Sequence, residues 1–270
     1  MTATLEARIT PAHEQQVPHP RVLRNSFTMA SRALLRVRHE PEQMADAIAI
    51  PVLFTVMFTY LFGGAVSGSA GHYLGYLLPG TLVMAVLLVT VGAGLSLNTD
   101  RITGTLDRFR ALPIWQPAVI IGVLLGDMAR YTFSSVLVLG CGLLMGYRPA
   151  GGAGGALLAV ALVIVFAFSV SWIWTTLGLL LRSPQAVSVI SIAIQFPLTL
   201  ASNAFVRPAT MPGWLRGFVD VNPVSHLITA ERSLMAGTAS ASQAGWVLLS
   251  SAGLIAVFGT LSIYLYRSRQ

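Results

Sequence analysis

The stretch Asn98-Thr-Asp-Arg-Ile-Thr-Gly-Thr-Leu-Asp-Arg-Phe-Arg-Ala-Leu-Pro113 decides how the rest of the chain is read. It is a charged, helix-patterned island of about four turns, set between two long apolar segments. With neighbours that read as membrane, the island is expected in water or at a membrane surface. Ile102, Leu106 and Phe109 share one helical face, and Asp107, Arg108 and Arg110 point elsewhere. Such a helix offers a soluble partner a greasy ridge with charged handles. A bare solvated connector could carry the same charges but has no need of the ridge.

Working outward, 54% of the chain is hydrophobic and only 10% charged. A soluble domain carries roughly 25% charged residues, so lipid or protein is the solvent for most of this one. The net charge of +7 comes from 17 basic residues, all of them arginine. Without lysine there is no Gly-x-x-x-x-Gly-Lys-Ser/Thr loop, which excludes a P-loop nucleotide site. Lysine Schiff-base chemistry is excluded as well. Cys141 is the single cysteine, so it forms no intramolecular disulfide and reads as a small packing residue. His72 and His226 lack the spacing of a metal site. Neither a Gly-x-Ser-x-Gly elbow nor a His-Glu-x-x-His helix occurs. No catalytic residue, metal or nucleic-acid partner is expected.

A membrane span needs about 20 apolar residues. Six candidates meet that need: Met44–Gly63, Tyr76–Leu97, Ala118–Gly146, Ala156–Leu181, Ala186–Phe205 and Gly245–Tyr266. Arginine bias then sets the orientation. Arg21, Arg24, Arg32, Arg36 and Arg38 precede the first span. Arg101, Arg108 and Arg110 follow the second, Arg182 the fourth, and Arg267 and Arg269 the sixth. These segments share one side, so both termini are expected in the cytoplasm. Residues 1–24 mix charge with Pro11, Pro18 and Pro20, and read as a disordered tail with no secretory signal. Residues 25–43 read as an amphipathic interfacial helix, with Phe27, Ala30, Leu34 and Val37 in one stripe and arginines around the rest. Residues 44–270 then form one six-span domain.

The connections on the other side are unequal. Residues 64–75 and 148–155 are glycine-rich and read as loops. Residues 207–242 carry Pro208, Pro212 and Pro223, yet Trp214, Leu215, Phe218 and Val219 keep an amphipathic pattern. Asn222-Pro223 reads as an N-cap with proline at the first helical position, and Gly237 as the stop of that helix. The segment reads as a broken pair of short helices dipping into the outer leaflet. Within the third span, Asp127 and Arg130 stand three residues apart. Ionisable groups at mid-membrane cost roughly 2.5–3.5 kcal/mol, so the pair is expected to neutralise itself near the cytoplasmic end. The alternative places it in a transport path. Trp172 and Trp174 fall mid-span, as interhelix packing or as the lining of a cleft.

Three stretches resemble the permease subunits of ABC-2 type exporters, specifically those like the daunorubicin-resistance permeases of actinobacteria. One is the basic surface helix leading into Ala47-Ile-Ala-Ile-Pro51 and Phe62-Gly63. The second, Thr99-Asp100-Arg101 through Gly104-Thr105, Asp107-Arg108, Arg110 and Pro113, is similar to that family's coupling helix. The third runs from Ser202-Asn203 through Met211-Pro212, Trp214-Leu215 and Asn222-Pro223 to Arg232 and Gly237, and is similar to its re-entrant outer region.

The resemblance implies an all-helical polytopic permease working with a separate ATPase subunit that carries the ATP and Mg, so no cofactor sits in this chain. It implies a second permease copy or paralogue, and a hydrophobic or amphipathic substrate (drug, antibiotic or lipid) exported across the plasma membrane. It further implies a substrate site lined mainly by the first, second and fifth spans. Coupling to the ATPase would fall to Asp100, Arg101, Ile102, Gly104, Thr105, Leu106, Asp107, Arg108, Phe109, Arg110 and Pro113. The re-entrant segment would be marked by Asn203, Met211, Pro212, Trp214, Asn222 and Pro223. The rival readings are an ion-gradient carrier or channel, which inverted repeats and paired intramembrane carboxylates would favour, and a membrane-embedded lipid-modifying enzyme.

Overall fold

The computed structural model describes residues 49, 52–61, 63, 64, 68, 70–105, 117–206 and 208–268. Residues 1–24 and the expected interfacial helix 25–43 lie outside them. The described residues form helices with no strand: α1 Val52–Leu61, α2 Ala70–Ile102, α3 Pro117–Leu144, α4 Gly152–Leu180, α5 Pro184–Leu200, α6 Gly213–Val221, α7 Pro223–Ala236, α8 Ala241–Leu254 and α9 Thr260–Ser268. A π-helical stretch, Ile255–Gly259, joins α8 to α9 into one long rod.

Among the described residues, four rods are long and apolar enough to cross a membrane: Gly71–Ile102, Ile120–Leu144, Gly152–Leu180 and Ala241–Tyr266. Two shorter apolar helices, α1 and α5, accompany them. The 33 residues of α2 extend about 50 Å, well beyond the ~30 Å of a hydrocarbon core. This helix is apolar all round, as a central helix must be. Leu77, Leu78, Leu82, Val83, Ala85 and Val86 have no exposed surface, because α3, α4, α5 and α7 all pack on α2. Leucine, valine and isoleucine instead face outward on the surrounding helices, as at Leu53, Leu144, Leu157, Val189 and Leu249. Exposed apolar surface on that scale needs a lipid or protein cover.

Close helix contacts rest on small residues, as in membrane packing generally. A Cβ on Gly94 would overlap the Trp174 backbone, and one on Gly178 would overlap the Gly94 carbonyl, so α2 and α4 touch backbone to backbone. Gly151 and Gly155 approach the Leu234 carbonyl of α7 in the same way.

Several boundaries differ from the sequence expectation. Helix α2 starts at Ala70, inside the expected loop 64–75, because Tyr73 and Leu74 are buried and Gly75 packs on Tyr147. Helix α4 starts at Gly152, inside the expected loop 148–155, where Gly151 N–H donates to the Met235 carbonyl at 2.8 Å. Helix α5 stops at Leu200, short of the expected Phe205, and residues 202–206 leave the helix as a run of bends. The Asn222 side chain caps α7 by accepting from Val224 N–H at 2.9 Å. Gly237 ends that helix in the left-handed region at φ 74°, as the Asn-Pro and glycine signals predict.

Candidate functional site

The charged island is divided by the fold. Asn98 to Ile102 are the last turn and a half of α2, not a separate helix. The chain then turns at Thr103-Gly104, with Gly104 at φ +70°, a conformation that glycine adopts at no steric cost. Asn98 is fully buried, so this first residue of the stretch meets neither the water nor the membrane surface expected for the island. Its Nδ2 donates to the carbonyls of Gly178 and Leu181, each at 2.8 Å. Arg101 donates to Leu179 O at 2.6 Å and Leu181 O at 3.3 Å, so it is no free handle. Ile102 is exposed, and Asp100, Gly104 and Thr105 flank the turn. Leu106, Asp107, Arg108, Phe109, Arg110 and Pro113 lie outside the described residues.

Helix α5 carries a polar stripe that periodicity alone could have shown. Val187, Ser191, Gln195 and Thr199, four residues apart, form its buried face, while Val189, Ile190, Ile192, Ile194 and Phe196 are exposed. The helix is inside out, polar inward and apolar outward, and its buried face packs chiefly on α2. Ser191 Oγ, both polar atoms of the Gln195 amide and Thr199 Oγ1 make no hydrogen bond among the described residues. Buried polar atoms are nearly always satisfied, so four open groups in one line suit a polar ligand or water.

At the far end of this stripe the chain unwinds. Ser202, Asn203, Ala204 and Phe205 are all buried, and non-helical backbone inside a membrane protein must be satisfied by protein. Asn203 O accepts from Tyr76 OH at 2.9 Å and from Arg232 at 2.6 Å. Ala204 O accepts from Arg232 at 3.0 Å and Phe205 O from Tyr73 OH at 3.2 Å. Arg232 also donates Nε to Tyr76 O at 3.0 Å and stacks 3.6 Å over the Tyr76 ring. Asn203 Nδ2 donates to Thr229 Oγ1 at 2.9 Å, and Asn222 Nδ2 to Leu198 O at 2.7 Å. The structure therefore gathers Asn203, Asn222 and Pro223 around the end of α5. It leaves Met211, Pro212 and Trp214 on the rim, where Trp214 is 78% exposed. Sequence reasoning missed Tyr73, inside the expected loop 64–75, and Tyr76, the first residue of an expected span, and named Arg232 without its three carbonyl partners.

Arg130 NH1 donates to Asp127 Oδ1 at 3.2 Å, the expected internal pair. Asp127 stands ten residues after Pro117, about 15 Å along α3. Gly92 gives the guanidinium room, since a Cβ there would stand 3.2 Å from Arg130 NH1. Trp172 and Trp174 are buried packing residues. Trp174 donates Nε1–H to Thr90 Oγ1 at 2.8 Å, and Trp172 meets the Phe168 ring edge-on. Among the described residues no group of three or more His, Cys, Asp and Glu could hold a metal ion.

A bundle of apolar rods enclosing a polar stripe, with irregular backbone satisfied by side chains at one end, is the frame of a membrane transport protein. The chain belongs to the ABC-2 type transporter family, whose model matches residues 24–236. It is 49% identical over 244 residues, 90% of this chain and 86% of the relative, to the daunorubicin resistance ABC transporter permease protein DrrB1 of Streptomyces coeruleorubidus. A probable doxorubicin resistance ABC transporter permease protein, DrrC of Mycobacterium tuberculosis, is 24% identical over 86% of this chain and 84% of its own length. A putative transport permease, ycf38 of Cyanophora paradoxa, is 24% identical over 83% of this chain and 77% of its own. This chain is a membrane-spanning permease subunit of an ATP-binding-cassette exporter. Membership implies an ATPase partner and a pairing of permeases.

Proposed function

We propose that the subunit crosses the bacterial plasma membrane six times, with both termini cytoplasmic and the 103–116 loop facing the ATPase. The arginine asymmetry supports that orientation, and α1 and α5 supply the two spans beyond the four long rods. ATP and Mg are held by the partner subunit. A second permease, identical or paralogous, faces this one. On this reading Asp100 to Thr105 lead into the coupling loop, and the Ile102/Leu106/Phe109 ridge docks into the ATPase with Asp107, Arg108 and Arg110 at the rim. Residues 202–236 form the outer re-entrant region, in contact with lipid through the exposed face of α6.

The substrate is an amphipathic compound such as daunorubicin, the drug for whose resistance a relative is named. One observation carries this reading: Ser191, Gln195 and Thr199 present open hydrogen-bonding groups inside an otherwise apolar frame. Apolar walls with a few placed polar groups are what a small-molecule site requires. The test is ATP-dependent daunorubicin uptake by inverted vesicles containing this subunit, its ATPase and any partner permease. Gln195→Leu combined with Ser191→Ala should leave the ATPase bound and reduce uptake by about tenfold, the equivalent of 1.4 kcal/mol of lost binding. Uptake at the wild-type rate would remove the stripe from the path.

A further inference from the structure

The seam between α2 and α4 tightens toward the end that carries the coupling loop. Thr90 accepts from Trp174, Gly94 meets Gly178 backbone to backbone, and Asn98 and Arg101 take the carbonyls of Gly178, Leu179 and Leu181. These positions recur about once per helical turn on one face of α2. The last carbonyls of a helix have no intrahelical partner, and here those of α4 are satisfied by side chains of α2. Arg101 also places positive charge at the negative end of the α4 dipole, and charge-assisted bonds of this kind are roughly twice as strong as neutral ones. Only Arg182 separates Leu181 from Ser183, the N-cap of α5. The fastening thus sits at the base of the helix that bears the polar stripe.

We propose that Asn98 and Arg101 are positioning residues of the transport cycle, fastening α2 to the carboxyl end of α4 so that displacement delivered at the 103–116 loop reaches the base of α5 as the movement of one body. This rests on the coupling role of that loop proposed above. Asn98 and Arg101 touch neither nucleotide nor substrate on this account; they transmit. Their loss uncouples hydrolysis from export instead of stopping either partner from binding.

The experiment uses the assembled complex in nanodiscs, with Cys141→Ala as background and spin labels at Thr103→Cys and Arg182→Cys, two exposed positions flanking the seam. The distance between the labels should be the same without nucleotide and with ATP trapped. In Asn98→Leu/Arg101→Met it should broaden once ATP is bound. Asn98→Leu alone, which leaves the residues assigned to the ATPase contact intact, should bind the ATPase in normal amount and hydrolyse ATP at a near-normal rate. Its transport per ATP should be lower by about tenfold. Asn98→Gln/Arg101→Lys, which keeps donors at both positions, should recover much of the transport. A label distance that changes with ATP in the parent complex would overturn the proposal even if the variant fails to fold. So would unchanged transport per ATP in Asn98→Leu. Separation of α2 from a moving ATPase, with the label distance still constant, would instead refute the coupling role of the loop and leave the fastening intact.

Discussion

Arg130 and Asp127 show what one pair of residues must do inside an apolar helix. Three positions apart on α3 they meet at 3.2 Å, and the bare backbone of Gly92 leaves space for the guanidinium. A buried charge stripped of its partner is strongly destabilising, by about 3–5 kcal/mol. Asp127→Asn should therefore lower the thermal midpoint of the detergent-solubilised protein, read by fluorescence-detected size exclusion. Asp127→Asn with Arg130→Gln should recover much of the loss. A double variant as unstable as the worse single one would show that the two charges do not serve each other. If the double variant is stable but inactive in vesicle uptake, the pair belongs to the transport path instead.

Among the elements, the segment between α5 and α7 depends most on others for its shape. Its carbonyls are satisfied by Tyr73, Tyr76 and Arg232, from helices before and after it in sequence. Gly80 lets α2 lie against Ala204, where a Cβ would overlap the Ala204 carbonyl. Arg232→Met removes a planar donor that reaches three carbonyls, while Arg232→Lys keeps the charge without the fork. In a Cys141→Ala background, a cysteine at buried Phe205 should react slowly with an impermeant thiol reagent. Arg232→Met should raise that rate by about tenfold or more, consistent with loss of charge-assisted bonds of 1.5–3 kcal/mol each. Arg232→Lys should fall between. An unaltered rate in Arg232→Met would show that the tyrosines hold the segment unaided.

At the scale of the whole molecule, the helices alternate in direction. Contacts of Asn98 with Leu181 and of Thr176 with Ser262 mark one end; Tyr76 with Asn203 and Gly151 with Met235 mark the other. With the arginine bias, this sets the prediction for topology. Single cysteines at Gly68 and Ser242, in the Cys141→Ala background, should react with an impermeant reagent outside intact cells. Cysteines at Thr103 and Ser268 should react only after permeabilisation. The reverse pattern at either pair would end the six-span reading.

The sequence alone determined the class of the molecule. Runs of apolar residues leave no choice of solvent, lysine is absent from the composition, and the caps at Asn222 and Gly237 are local backbone chemistry that neighbours in sequence fully specify. The ordered motifs around Asp100–Pro113 and Asn203–Gly237 were enough to point to the ABC-2 type family. Only the tertiary structure decided that Asn98 is buried, because its partners lie some eighty residues away on α4, and no pattern within one helix reports a carbonyl on another. The same holds for Arg232, read as one residue of the helix that stops at Gly237, whose three carbonyl partners lie on other segments. The stripe on α5 lies between these cases. Its four-residue spacing was present in the chain, but which face turns inward is set by α2 against it, and hydroxyls and amides in an apolar run become a candidate path only once they are enclosed.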